Sequence, residues 1–78
     1  MPDGAIQFVA PSGARKIVVK CGAVSGEGTA QTHIPGPGPV ACDVTVQLAD
    51  RTRVRAHVDG AVPGAYRCFE GDARACVR

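Results

Sequence analysis

Tryptophan is absent from this 78-residue chain, and its aromatic residues are only Phe8, Tyr66 and Phe69. So few rings argue against a base-stacking platform, and hence against a nucleic-acid partner. The aliphatic residues are mostly valine, and Leu48 is the single leucine. That supply suits thin β-layers rather than a helical bundle. No segment approaches the roughly 20 apolar residues of a membrane-spanning helix. Charge of one sign is scarce too: nine Lys and Arg against seven Asp and Glu leave a formal net charge of +2. That bias is too weak to imply nucleic acid by itself. Met1-Pro2-Asp3-Gly4 is no signal peptide, so an exported chain would be a mature part or an excised domain of a longer protein.

Catalytic signatures are equally sparse. Ser12 and Ser25 stand in turn-like sequence without a nearby histidine, and neither His33 nor His57 has an adjacent carboxylate in sequence, though folding could bring one close. Gly22–Gly28 is glycine-rich, but no helix follows it to supply the N-terminus that a phosphate cradle needs. Asp59 and Asp72 read as turn residues before they read as calcium ligands. The expectation is a protein that is not an enzyme and takes no cofactor.

The longest run without glycine or proline, Val40–Asp59, contains Cys42–Val58, CDVTVQLADRTRVRAHV. Cys42, Val44, Val46 and Leu48 recur at every second position, as do Val54, Ala56 and Val58 after a break. Period two with valine and threonine is the half-buried strand pattern, so the run predicts a β-hairpin. Both apolar sets must face one core, which requires opposed residues with an even sum of numbers, such as Val46 with Val54 or Leu48 with Val54. An odd loop follows, either Ala49-Asp50-Arg51 or Asp50-Arg51-Thr52. Three-residue loops usually place glycine at a left-handed position. None is available, so Arg51 is expected to carry that strain.

Around this hairpin the chain predicts Ala5–Ala10 and Lys16–Cys21 as strands, Gly22–Gly28 as a loop and Thr29–His33 as a weak edge strand. Ile17-Val18-Val19 reads as a run buried on both faces. Ile34–Val40, IPGPGPV, has prolines at alternate positions that cannot donate to a ladder, so it predicts an exposed connection. Asp59–Gly64 predicts a turn, and Ala65–Phe69 with Ala73–Arg78 a final hairpin about Glu70-Gly71-Asp72. The fold class is therefore all-β: one domain over residues 1–78, a small antiparallel β-sandwich or partly open barrel of about six short strands.

A core this small needs staples, and four cysteines can supply them. Strand placement favours Cys21–Cys42 and Cys68–Cys76, the second pair facing each other across the last turn. Four cysteines allow three connectivities, and sequence alone does not choose among them. Zinc fits poorly, because the spacings are long and His33 and His57 are isolated; free thiols in a cytosolic protein are the other alternative. Disulfides imply an oxidising compartment: periplasm, cell surface or medium.

Arg51, Arg53 and Arg55 alternate and, with His57, predict a basic stripe on one strand face, a candidate site for an acidic glycan, lipid or protein surface. The plain alternative is a solvated face whose charges deter edge-to-edge pairing, with Asp43 and Asp50 offsetting them. Ile34, Pro35, Pro37 and Pro39 form a candidate interaction segment.

Val62-Pro63-Gly64-Ala65-Tyr66-Arg67-Cys68, following Asp59-Gly60, resembles the last strands of extracytoplasmic bacterial β-sandwich modules of the PEGA-type and transthyretin-like or carboxypeptidase-regulatory-like families. The resemblance covers about 30 residues by our reading of turn and strand signals, and it departs at the proline-rich segment 35–39 and the C-terminal cysteine hairpin. It implies a sandwich in an envelope context and carries over no site residues. Tyr66 reads as a corner residue with a packed ring and a bonded hydroxyl. Together these features predict a non-catalytic protein–protein interaction module of an envelope or secreted protein. The alternatives are a structural subunit of an ordered self-assembly and a binder of acidic glycan or lipid.

Overall fold

The computed structural model describes residues 5–35, 39–69 and 75–78, and they form strands with no helix. The strands are β1 (Ala5–Val9), β2 (Ala14–Cys21), β3 (Val24–Gly28), β4 (Gln31–Pro35), β5 (Val40–Leu48), β6 (Arg53–Ala61), β7 (Gly64–Cys68) and β8 (Cys76–Val77). They make two four-stranded sheets, ordered β4-β1-β7-β8 and β3-β2-β5-β6, which stay separate rather than closing into a barrel. The architecture is a small β-sandwich.

Alternation builds the layers. From the second sheet, Ile17 and Val19 of β2 and Cys42, Val44 and Val46 of β5 turn inward and are buried. From the first, Ile6 and Phe8 of β1, Ile34 of β4 and Tyr66 of β7 meet them. Phe8 and Tyr66 stack with ring centroids 5.4 Å apart, and the Val62 amide donates to the Tyr66 hydroxyl at 3.1 Å. That bond satisfies the polar end of a buried ring. Phe8 has the largest of the fully buried side chains, and its truncation to alanine would cost about 3–5 kcal/mol.

The central hairpin has the register that its apolar pattern demands. Val46 faces Val54 and Gln47 faces Arg53, and the Leu48 amide donates to the Thr52 carbonyl at 2.8 Å. This leaves Ala49-Asp50-Arg51 as the loop, with Arg51 at φ 72°. A left-handed non-glycine residue costs about 1–2 kcal/mol, while glycine's extra freedom in the unfolded chain takes back about 0.4–1 kcal/mol. At mid-range these leave about 0.8 kcal/mol, so Arg51→Gly should raise the melting temperature by about 3–6 °C for a domain of this size. A lower melting temperature in a calorimetric scan would contradict the strain.

Several expectations are corrected. Among the described residues there are eight strands rather than about six, and the pairing is not wholly antiparallel, since β1 runs parallel to β7. Residues 24–28 form a strand, not a loop: β3 pairs with β2 from Ile17↔Gly28 to Cys21↔Val24. A β-carbon on Gly28 would collide with the Gln31 carbonyl oxygen, so glycine permits the close corner where the chain passes between sheets. Val18 is half-buried on the outer face, unlike its neighbours Ile17 and Val19. The expected turn at 59–64 is shorter, because β6 continues to Ala61 through Gly60 at φ 67°. The residues 70–74 of the last turn lie outside the described residues.

Both sheets are stapled. Cys21 and Cys42 join β2 to β5 with Cα atoms 4.2 Å apart. Cys68 and Cys76 face each other across β7 and β8 and are bonded with Cα atoms 3.9 Å apart.

Candidate functional site

The outer face of the β3-β2-β5-β6 sheet gathers the cations. Its cross-strand rows are set by register. Lys16 lies opposite Gln47, which lies opposite Arg53; Val18, Thr45 and Arg55 form the next row, and Lys20, Asp43 and His57 the third. Lys16 and Lys20 therefore run along one side of β5, with Arg53 and Arg55 along the other. β2 and β6 stand two strand spacings apart, about 9–10 Å. Between them the surface is shallowly hollowed. One depression of 560 Å³ is lined by Val18, Lys20, Thr45, Arg55 and His57 among others. A second, of 230 Å³, lies toward Lys16, Gln47 and Arg53.

The carboxylates on this face are largely engaged. His57 sits between two of them: Nδ1 is 2.7 Å from an Asp43 oxygen and Nε2 is 2.7 Å from an Asp59 oxygen. Only a protonated imidazole donates from both nitrogens. Hydrogen bonding to Asp43 first, and to Asp59 second, accordingly raises the His57 pKa above its ordinary 6.5. Glu27 of β3 pairs with Lys16 at 3.4 Å. Among the described residues, Lys20, Arg53 and Arg55 are left with no carboxylate within ion-pair distance.

The raised His57 pKa has a definite sign. Its contribution to stability is fully present below the unfolded value of 6.5 and is lost as pH rises through the folded value. An NMR titration of the ring should give a midpoint above 6.5 that falls in Asp43→Asn. An unmoved midpoint in that variant would remove Asp43 as the cause.

The expected stripe is partly redrawn. Arg53, Arg55 and His57 share the outer face of β6, but Arg51 belongs to the hairpin loop and not to the strand. Asp50 is occupied locally: its carboxylate accepts from the Thr52 amide at 2.9 Å. Hydrogen bonding from the Thr52 side chain, and then from its amide, holds the Asp50 pKa below the ordinary carboxylate value. His57 has no carboxylate adjacent in sequence, and the fold brings two to it, Asp43 and Asp59. In the expected interaction segment, Ile34 is a core residue at 1% exposure, because β4 extends through it and turns it inward. Pro35 and Pro39 are exposed, and Pro37 lies outside the described residues. The sequence reading missed Lys16 and Lys20, whose even spacing on β2 was the available signal.

Among the described residues, no cluster of His, Cys, Asp and Glu is arranged to hold a metal ion, and no helix is long and apolar enough to cross a membrane. No protein-family model, curated protein or solved structure matches the chain.

Proposed function

We propose that this chain is a non-catalytic binding module that works outside the cytosol by contact between the outer face of its second sheet and an acidic macromolecule. One observation carries the reading: Lys16, Lys20, Arg53 and Arg55 flank a shallow hollow in which the neighbouring carboxylates are engaged by His57 and Lys16. Three of these cations, Lys20, Arg53 and Arg55, have no carboxylate within ion-pair distance among the described residues, and such charges around a concavity attract and orient a polyanion. The two disulfides support an oxidising compartment, namely periplasm, cell surface or medium. The resemblance of Val62–Cys68 to extracytoplasmic sandwich modules points the same way. The test is retention on immobilised heparin at about 0.3 M salt, where simple surface attraction is strongly screened. Elution below that salt would count against the face.

A second reading is favoured by β6. Among the described residues it is the margin of its sheet, nine residues long, and pairs with β5 alone in the strand order. Unpaired margins recruit further strands, which suits a structural subunit of an ordered assembly. Light scattering at high concentration tests this, and a strictly monomeric particle counts against it.

A further inference from the structure

We propose that the occupant of the cationic face is a linear acidic polysaccharide lying along β5 between the two rows of cations. This rests on the reading of that face as an acidic-partner site and names the chemistry of the partner. Register supplies the first argument. Lys16 and Lys20 are four residues apart on one flank, a span of about 13 Å, and Arg53 and Arg55 about 6.6 Å apart on the other. The trough between the flanks is open along the strand, so it fits a chain with acidic groups directed to both sides and not a single small anion.

The floor supplies the second argument. Gln47 and Thr45 line it, offering an amide and a hydroxyl that can exchange hydrogen bonds with sugar hydroxyls. Arg53 and Arg55 have no ion-pair partner among the described residues, and their planar forks match carboxylate and sulfate oxygens.

The face also lacks what other polyanions need. A single-stranded nucleic acid wants exposed rings for its bases. Here Phe8 and Tyr66 are buried, and Phe69 packs against the core. An acidic protein partner would usually be anchored by large apolar or aromatic residues at the centre of its contact. The centre of this face has instead Thr45, with half-buried Val18 beside it. A polysaccharide needs neither rings for bases nor a desolvated apolar anchor. At one end of the trough the His57 bridge to Asp43 and Asp59 marks where negative charge collects, so the glycan's acidic groups are directed toward Lys16, Lys20, Arg53 and Arg55.

Calorimetry with size-defined heparin oligosaccharides tests this, using the oxidised wild-type chain. Affinity should tighten at least about tenfold from disaccharide to hexasaccharide as both rows become spanned. With four cations engaged, the logarithm of affinity should fall with the logarithm of salt at a slope of about −3, or about fiftyfold between 50 and 200 mM, using the value for flexible single strands. Lys16→Gln with Lys20→Gln, and separately Arg53→Gln with Arg55→Gln, should each weaken the hexasaccharide more than tenfold while leaving the circular dichroism spectrum unchanged. Loss from only one pair would overturn the two-row placement. Polyglutamate, single-stranded DNA or anionic vesicles binding the same face as tightly as the hexasaccharide would overturn the glycan assignment and leave the acidic-partner site standing. If none of the polyanions binds, both fall.

Discussion

Replacing Cys21 and Cys42 together by alanine is expected to lower the melting temperature by about 12–25 °C. The bridge spans a sequence separation of 21 residues, for which loop entropy gives about 3 kcal/mol. In a domain of this size each kcal/mol moves the midpoint by about 4–8 °C. Truncation adds to the loss, because Cys42 is fully buried and Cys21 nearly so, and shortening both leaves a cavity between β2 and β5. The second bridge spans 8 residues and is worth about 2.5 kcal/mol on the same scale. Removing both therefore takes away a stabilisation comparable to the whole margin of a small domain, which lies near about 5–15 kcal/mol. The quadruple alanine variant should be largely unfolded at body temperature by circular dichroism. A midpoint shift below about 5 °C for the Cys21, Cys42 pair would mean that valine packing alone holds the second sheet, contrary to the loop-entropy estimate.

The second large effect is on binding. Lys20→Glu combined with Arg55→Glu moves the formal net charge from +2 to −2, each reversal subtracting two. It also places carboxylates on both flanks of the trough. Retention on immobilised heparin should be abolished at about 0.15 M salt, because exposed charges act over about one Debye length and these two border the site directly. Gln7→Glu with His33→Glu adds the same number of carboxylates to the other sheet, where β1 pairs with β4. That variant should keep most of its retention. This control moves the formal net charge by two, from +2 to 0, and not by four, so a loss from it half as large as that from the first variant, or larger, would make the effect one of overall charge and not of a particular face. Both substituted pairs sit at exposed or half-buried positions, so the fold is expected to survive.

Much of the architecture was legible because the layers are thin and the periodicity is strict. The alternation of Cys42, Val44 and Val46 with Val54 and Val58 set the hairpin register, the odd loop and the strained Arg51. Tyr66 carried its corner role in its local phrase. What escaped had no period to read. β3, VSGEG, contains one valine among small and polar residues, and it is a strand because β2 offers it a ladder. The parallel pairing of β1 with β7 joins segments far apart in sequence, and no local signal announces it. Gly60 was read as ending a strand, whereas its positive φ lets β6 bend and continue.

The candidate face was half visible for a related reason. Arg53, Arg55 and His57 lie on one strand and were found together, but Lys16 and Lys20 arrive through the pairing of β2 with β5. That register follows from the cysteines: antiparallel strands with Cys21 opposite Cys42 must set Lys20 opposite Asp43 and Ile17 opposite Val46, as observed. The favoured disulfide thus contained the second row of cations. Asp59 was hidden because its segment read as a turn, while β6 in fact carries it past His57 on the same side.

The central claim is that the outer face of β3-β2-β5-β6 is the recognition surface. Backbone amide NMR spectra with and without a heparin hexasaccharide test it most directly. Perturbations are predicted at Lys16, Val18, Lys20, Thr45, Arg53 and Arg55, with Gln7, His33 and Ala65 unmoved. Perturbations centred on the β4-β1-β7 face, or spectra that do not change at saturating hexasaccharide, would contradict it.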